Sequence, residues 1–278
     1  MGISHYIRVL VSVALMTART HLRRGRTWIM AILILTPSLL PPLVAYLNAR
    51  FDSGLSMPPD RLAAALFDFL YVYTLVPLTA LFYACALLSE EIEGHTFPLL
   101  LSRPVPRGAL VLGKFAAFLL VSALLVAASL VATFYTCVLF LKLPATGAHH
   151  ALLARYVLLC VAGLGAYGAL CLAVSTLTQR PVLVAALFIF GWEKMVIAIP
   201  GYADFLTLQK YLGRLLPEVP FKRIEIAKVE LPVELMREVY PVSTTGAVVT
   251  LACVTAVLLG LACLAVRLRQ YAASSETA

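Results

Sequence analysis

The chain has 278 residues, 62% hydrophobic and only 13% charged, with a mean hydropathy of +0.93 and a formal net charge of +8. A soluble domain carries about 25% charged residues, so a water-soluble globule is excluded. The apolar runs are near the roughly 20 residues that a helix needs to cross a bilayer, and they lack the alternation of a membrane β-barrel. The composition therefore sets an all-α, polytopic membrane protein, in which excess Lys and Arg report orientation and not nucleic-acid binding.

Residues 1–27 come first. Arg8, Arg19, Arg23, Arg24 and Arg26 interleave with Tyr6, Ile7, Val9, Leu10 and Leu22. This is the composition of an amphipathic helix lying in the membrane interface, or else of a plain positive flank that sets topology. No small-residue cleavage pattern follows a short apolar core, so the first span is expected to be kept. That span, 28–47, contains Pro37, Pro41 and Pro42, whose missing N–H groups predict a kink. Further spans are expected at 62–88, 113–141, 151–178, 181–200 and 243–267. In the fourth, Gly165, Ala169 and Ala173 make a small-residue stripe suited to close helix packing.

Six spans place both termini on one side. With the N-terminus inside, eleven basic residues fall on the inner side: Arg8, Arg19, Arg23, Arg24, Arg26, Arg103, Arg107, Lys114, Arg180, Arg267 and Arg269. The short outer loops hold three: Arg50, Arg61 and Lys142. This bias predicts both termini in the cytoplasm. The long outer loop, 201–241, has Phe205, Leu208, Tyr211, Leu212, Leu215 and Leu216 at helical spacing, predicting an amphipathic helix on the outer face. Partial alternation over 221–231 hints at an extended segment.

Residue patterns that carry chemistry are sparse. Cys85, Cys137, Cys160, Cys171, Cys253 and Cys263 all lie in apolar runs and form no Cys-x-x-Cys pair, so they read as small hydrophobes and not as a metal or redox site. The stretch from Gly108 to Lys114 matches the start of a phosphate-binding loop, but Phe115 stands where that loop needs a hydroxyl. No nucleotide or metal cofactor is expected in this chain. His149 and His150 are adjacent and read as a solvated loop pair. Asp68, near the outer end of the second run, reads as an interface residue.

Glu193 and Lys194 interrupt the fifth run. A charge at mid-bilayer costs about 2.5–3.5 kcal/mol on insertion scales, and neighbours in sequence do not face each other on a helix. Pro181 to Trp192 covers only about 18 Å of a core about 30 Å thick. Either the span runs on past a charged pair, or it breaks and turns along the outer surface. Glu193 and Lys194 are then a pair snorkelling at the interface beside Trp192, or part of a substrate path or gate.

One polar island remains, at residues 89–112 between the second and third spans. Glu90-Glu91-Ile92-Glu93-Gly94-His95-Thr96 is followed by Leu99-Leu100-Leu101-Ser102-Arg103-Pro104-Val105-Pro106-Arg107, then Gly113-Lys114. Acidic first and basic second, with internal Gly and Pro, it has the character of a folded handle presented to a partner. These residues resemble the ABC-2 type permease family, with His95 splitting the usual Gly-Thr. The resemblance covers nearly the whole length and implies six spans, an N-terminal interfacial helix, a cytoplasmic coupling helix between spans two and three, and external helices between spans five and six. It further implies a permease subunit of an ABC exporter, not itself an enzyme, working with two ATPase subunits that bind ATP and magnesium and with a second permease copy or homologue. The membrane would be a bacterial cytoplasmic one. Glu90, Glu91, Glu93, Gly94, Thr96, Leu100, Arg103, Pro104 and Arg107 would form the ATPase-coupling interface. A non-transporting membrane scaffold or assembly factor is the alternative.

Overall fold

The computed structural model describes residues 3–23, 25–51, 59–93, 107–178, 180–198, 202–217 and 242–268. Among the described residues there is no strand, and five helices are long and apolar enough to cross a membrane: Thr27–Arg50, Leu62–Leu87, Gly108–Leu141, Gly147–Leu177 and Thr244–Leu268. The protein is an all-α polytopic membrane protein. The 221–231 stretch lies outside the described residues.

Helix α1 (Ile3–Arg23) packs along α6 (Arg107–Leu141). Its contacts climb that helix. A Cβ at Gly108 would lie 3.3 Å from the Tyr6 hydroxyl, and one at Gly113 would lie 2.9 Å from the Leu10 carbonyl oxygen, while Ala18 clusters with Ala117 and Val121. Missing side chains on α6 thus make the track on which α1 sits. The expected N-terminal helix is present, braced along α6 and exposing Ile7, Val11 and Leu15 on its other side.

The first span kinks where its prolines demand. It consists of α2 (Gly25–Leu35), a 3-10 turn (Thr36–Leu39) and α3 (Leu40–Phe51). Pro37 cannot donate to the Leu33 carbonyl four residues back. The Thr36 hydroxyl donates to that oxygen at 2.6 Å, and the Ser38 hydroxyl donates to the Leu35 oxygen at 2.7 Å. Side-chain hydroxyls therefore satisfy backbone groups that lipid could not.

The second span comprises α4 (Pro59–Ala65), a π-helical stretch (Leu66–Leu75) and α5 (Val76–Glu93). It is central, with 72% of its most apolar stretch buried, as is α7 (Gly147–Leu177) with 67%, whereas the first and last spans reach only 22% and 17%. The fit between centre and neighbours is set by two glycines of α7. A Cβ at Gly168 would come within 2.2 Å of the buried Phe118 ring, and one at Gly163 within 2.9 Å of Val76. Gly165, the glycine of the expected packing stripe, is buried but faces no heavy atom within 4 Å.

Helix α6 ends on a left-handed residue, Lys142 at φ 56°, and the Leu143 amide returns to the Cys137 carbonyl at 3.4 Å. The left-handed residue ends the helix as glycine commonly does, and the amide after it closes a wide, seven-residue return. The two histidines are not a loop pair. They lie in the first turn of α7, where their amides donate to the Thr146 carbonyl at 3.0 and 3.3 Å and the His150 ring meets Phe134 edge-on.

The chain then runs through α8 (Pro181–Ala186), a π turn (Leu187–Trp192) and α9 (Glu193–Ala198). A 3-10 turn (Tyr202–Leu206) and α10 (Leu208–Leu215) follow, and α11 (Thr244–Leu268) completes the bundle. Helix α10 is amphipathic as expected, but it does not merely rest on a surface. Leu208, Tyr211 and Leu212 are buried, Leu212 beside Gly163 of α7.

Candidate functional site

The residues of the polar island divide between described and undescribed chain. Glu90, Glu91 and Glu93 lie on the last turns of α5, and Arg107 opens α6. Gly94, Thr96, Leu100, Arg103 and Pro104 lie outside the described residues.

What the structure does describe is the base from which that loop springs. Gly113 and Lys114 occupy one turn of α6 and face different neighbours. The Gly113 side meets Leu10 and Val13 of α1. Lys114 is 2% exposed, and its ammonium donates to the Leu87 carbonyl of α5 at 3.2 Å. The stretch that mimics a phosphate loop is continuous helix, with its lysine committed to the second span.

A second polar node lies inside the bundle. Glu193 is 1% exposed. Its Oε2 accepts from the Tyr167 hydroxyl at 2.6 Å, and its Oε1 accepts from the Leu208 amide at 3.0 Å. Leu208 is the first residue of α10, whose leading amides have no partner within the helix. One carboxylate thus caps α10 and ties it to α7. By helical rise, Glu193 stands about 18 Å beyond Pro181, and the helical path does not break there: it runs on past the charged pair through α9 to Ala198. Lys194 points the other way, exposed, and donates to Gln209 at 3.3 Å. The turn before α10 is pinned by Lys210, 3.2 Å from Asp204 and 3.6 Å from the Phe205 ring centroid.

The sequence pattern of the family described as ABC-2 family transporter protein matches residues 8–269. The chain belongs to the ABC-2 transporter family. No curated protein matches it. Family membership makes this chain the membrane permease subunit of an ABC transporter, a transport subunit and not a catalyst.

Two further polar clusters of this ABC-2 permease escaped sequence reasoning. The Tyr71 hydroxyl, on the π stretch, lies 2.7 Å from the Ser129 hydroxyl and 2.6 Å from that of Thr133. Ser129 in turn donates to the Ile34 carbonyl at 2.5 Å, beside the 3-10 break of the first span. Two irregular helix segments are thereby joined through hydroxyls of α6. Nearby, the buried Tyr156 hydroxyl donates to Asp68 at 2.6 Å, so Asp68 is tied to the fourth span. No signal in the sequence pairs residues 58 to 95 positions apart; a buried Tyr or Ser in an apolar run is only a hint that a partner exists.

Among the described residues no group of three or more His, Cys, Asp or Glu side chains could hold a metal ion. The six cysteines form no disulfide; the Cys85 thiol reaches the Cys171 carbonyl at 3.9 Å, as a small hydrophobe with a weak donor does.

Proposed function

We propose that this permease works in an ABC exporter, with both termini and the 94–106 loop in the cytoplasm of a bacterial cell. Two ATPase subunits would dock on that loop, and a second permease copy or homologue would complete the translocation pathway. Glu90, Glu91, Glu93, Gly94, Thr96, Leu100, Arg103, Pro104 and Arg107 would make the ATPase interface. Acidic groups at the end of α5 and basic groups at the start of α6 give the loop two signs of charge to match against a partner surface.

The observation carrying this reading is the convergence at one end of the bundle. The polar loop leaves α5 and enters α6 there, and α1 begins beside Gly108. Arg8 and Arg19 of α1, Arg180 before α8 and Arg267 at the end of α11 are exposed. The opposite end also carries exposed basic residues, Lys142, Lys194 and Arg214; it is the short-loop bias of the sequence, eleven Lys and Arg on the inner side against three outside, that supports a cytoplasmic loop end. Helix α6 spans 35 residues, about 52 Å by helical rise, and so exceeds a bilayer core of about 30 Å. Its surplus length supports a projecting handle.

At the other end, Glu193, Lys194 and α10 are the candidate gate. The segment enters between the second, fourth and last spans and is held there by one carboxylate.

The test is affinity purification of the tagged chain from native membranes in mild detergent, with mass spectrometry of its companions. A stoichiometric ABC ATPase is expected, and charge reversal of Glu91 and Glu93 should remove it while membrane insertion is unchanged. If no ATPase accompanies the wild-type chain even after crosslinking at residues 89–107, the scaffold reading replaces this one.

A further inference from the structure

We infer that Lys114 is a positioning residue for energy transmission. It fastens the end of the second span to the third across the base of the 94–106 loop, so that α5, α6 and α1 answer a push on that loop as one body. The inference rests on the permease reading above and deepens it by naming the part that carries the stroke inward.

A lysine seven residues into α6 has a flexible stem long enough to reach water, yet Lys114 is almost fully buried. Burying an ammonium group costs several kcal/mol unless polar partners receive it. The Leu87 carbonyl receives it at 3.2 Å, from within the last two turns of α5. That oxygen is a backbone group, so the bond grips the helix itself and not a side chain that could swing away.

The neighbouring residue supplies the third helix. Gly113 lets the α1 backbone approach so closely that a Cβ would stand 2.9 Å from the Leu10 oxygen and 3.0 Å from the Val13 Cβ. Backbone cannot give way as a side-chain tip can. One turn of α6 therefore holds α5 by a charge-assisted hydrogen bond and α1 by close contact. That turn lies about two turns into α6 from the loop on which an ATPase would pull. Without the Lys114 bond, α5 and α6 would be free to splay at the loop end, and motion of the loop would dissipate there.

The same residues also explain a motif. The Gly-Lys pair is one of the features by which the sequence resembles its family, and the geometry separates what its two members do. The glycine permits close approach of α1, and the lysine grips the second span.

The experiment uses the complex purified with its ATPase and reconstituted in nanodiscs. Paired spin labels sit at two exposed positions of the opposite end, Lys142→Cys and Arg214→Cys, in a chain carrying Cys253→Ala and Cys263→Ala, the two native cysteines that are not buried. The readouts are ATPase stoichiometry and the change in label distance on trapping with ATP and vanadate. Lys114→Met should keep the ATPase bound but shrink the population that shifts by about fivefold or more, the low end of ordinary coupling between sites. Lys114→Arg should restore most of it, because a guanidinium can still donate to the Leu87 oxygen. A full-sized shift in Lys114→Met overturns the inference, as does an arginine variant no better than the methionine one. If Lys114→Met does not reach the membrane, Gly113→Ala carries the test. It displaces α1 while leaving the lysine in place, and an undiminished shift there also counts against the three-helix unit. A wild-type preparation that lacks the ATPase, or that shows no shift, defeats the permease reading itself.

Discussion

The carboxylate of Glu193 is held from two sides, by the Tyr167 hydroxyl at 2.6 Å and by the Leu208 amide at 3.0 Å. These partners belong to different elements, so the residue acts as a bracket between α7 and the start of α10. Removing the carboxylate leaves two buried donors without an acceptor, each costing about 1–3 kcal/mol. Glu193→Ala should therefore lower the midpoint of thermal unfolding in detergent markedly. Glu193→Gln, which keeps an acceptor for the amide and a donor for the tyrosine oxygen, should stay close to wild type. Tyr167→Phe should cost only about 0.6–1.7 kcal/mol, as interhelical hydrogen bonds in membranes do. Equal losses in the alanine and glutamine variants would show that charge, and not the bracket geometry, matters at this site.

The glycines of α7 give a sharper test, because two of them three residues apart predict opposite outcomes. Gly168 faces the buried Phe118 ring at a distance no real Cβ tolerates, whereas Gly165 faces open space. Gly168→Ala should destabilise by about 1–3 kcal/mol through overpacking. Gly165→Ala should be neutral or stabilising, since alanine is favoured over glycine in a helix by about 1 kcal/mol and would enter an unfilled volume. Combining Gly168→Ala with Phe118→Leu should recover part of the loss. Thermal unfolding of these variants beside the wild type in one detergent decides it.

This pair also marks what the sequence could tell. A stripe of small residues announces close packing, and close packing is what α7 makes: Ala169 and Ala173 of the stripe are buried in the core, while the tightest glycine approaches are at Gly163 and Gly168 and Gly165 faces open space. Helical periodicity fixes which residues share a face; which face meets which neighbour depends on the other spans. The spans themselves were legible, because about 20 apolar residues is a physical requirement of the bilayer. The kink at Pro37 was legible for a similar reason, since a missing donor is local. Glu193 and Lys194 were conspicuous as charges, but their separate fates were not. Adjacent helical residues point about 100° apart, and only the fold shows that one direction is interior and the other exposed. The Tyr71, Ser129 and Thr133 cluster was invisible, since each is unremarkable alone.

That cluster should behave as a coupled unit. The Tyr71 hydroxyl stands between Ser129 and Thr133, and Ser129 also holds the Ile34 carbonyl next to the kink. Tyr71→Phe and Ser129→Ala should each destabilise, and the double variant should lose less than the sum. An interaction energy of about 0.5–1.7 kcal/mol is expected, within the range of neighbouring residues in one network. Strict additivity in the cycle would mean that the two hydroxyls do not share a bond in the membrane.

The cysteines offer a check on which helix faces meet lipid. Cys85, Cys137, Cys160 and Cys171 are buried between spans, Cys263 is half-buried, and Cys253 is exposed on α11. The last span is also the least buried of the five. A small membrane-permeant maleimide applied to the protein in detergent should therefore modify Cys253 first and Cys263 more slowly. The other four should react only on unfolding, because a thiol packed between helices is closed to reagent as well as to water. Peptide mapping by mass spectrometry over a time course gives the order. Early modification of Cys160 or Cys171 would mean that α7 is not at the centre of the bundle. Protection of Cys253 in the purified complex, but not in the isolated chain, would instead place α11 against a partner subunit.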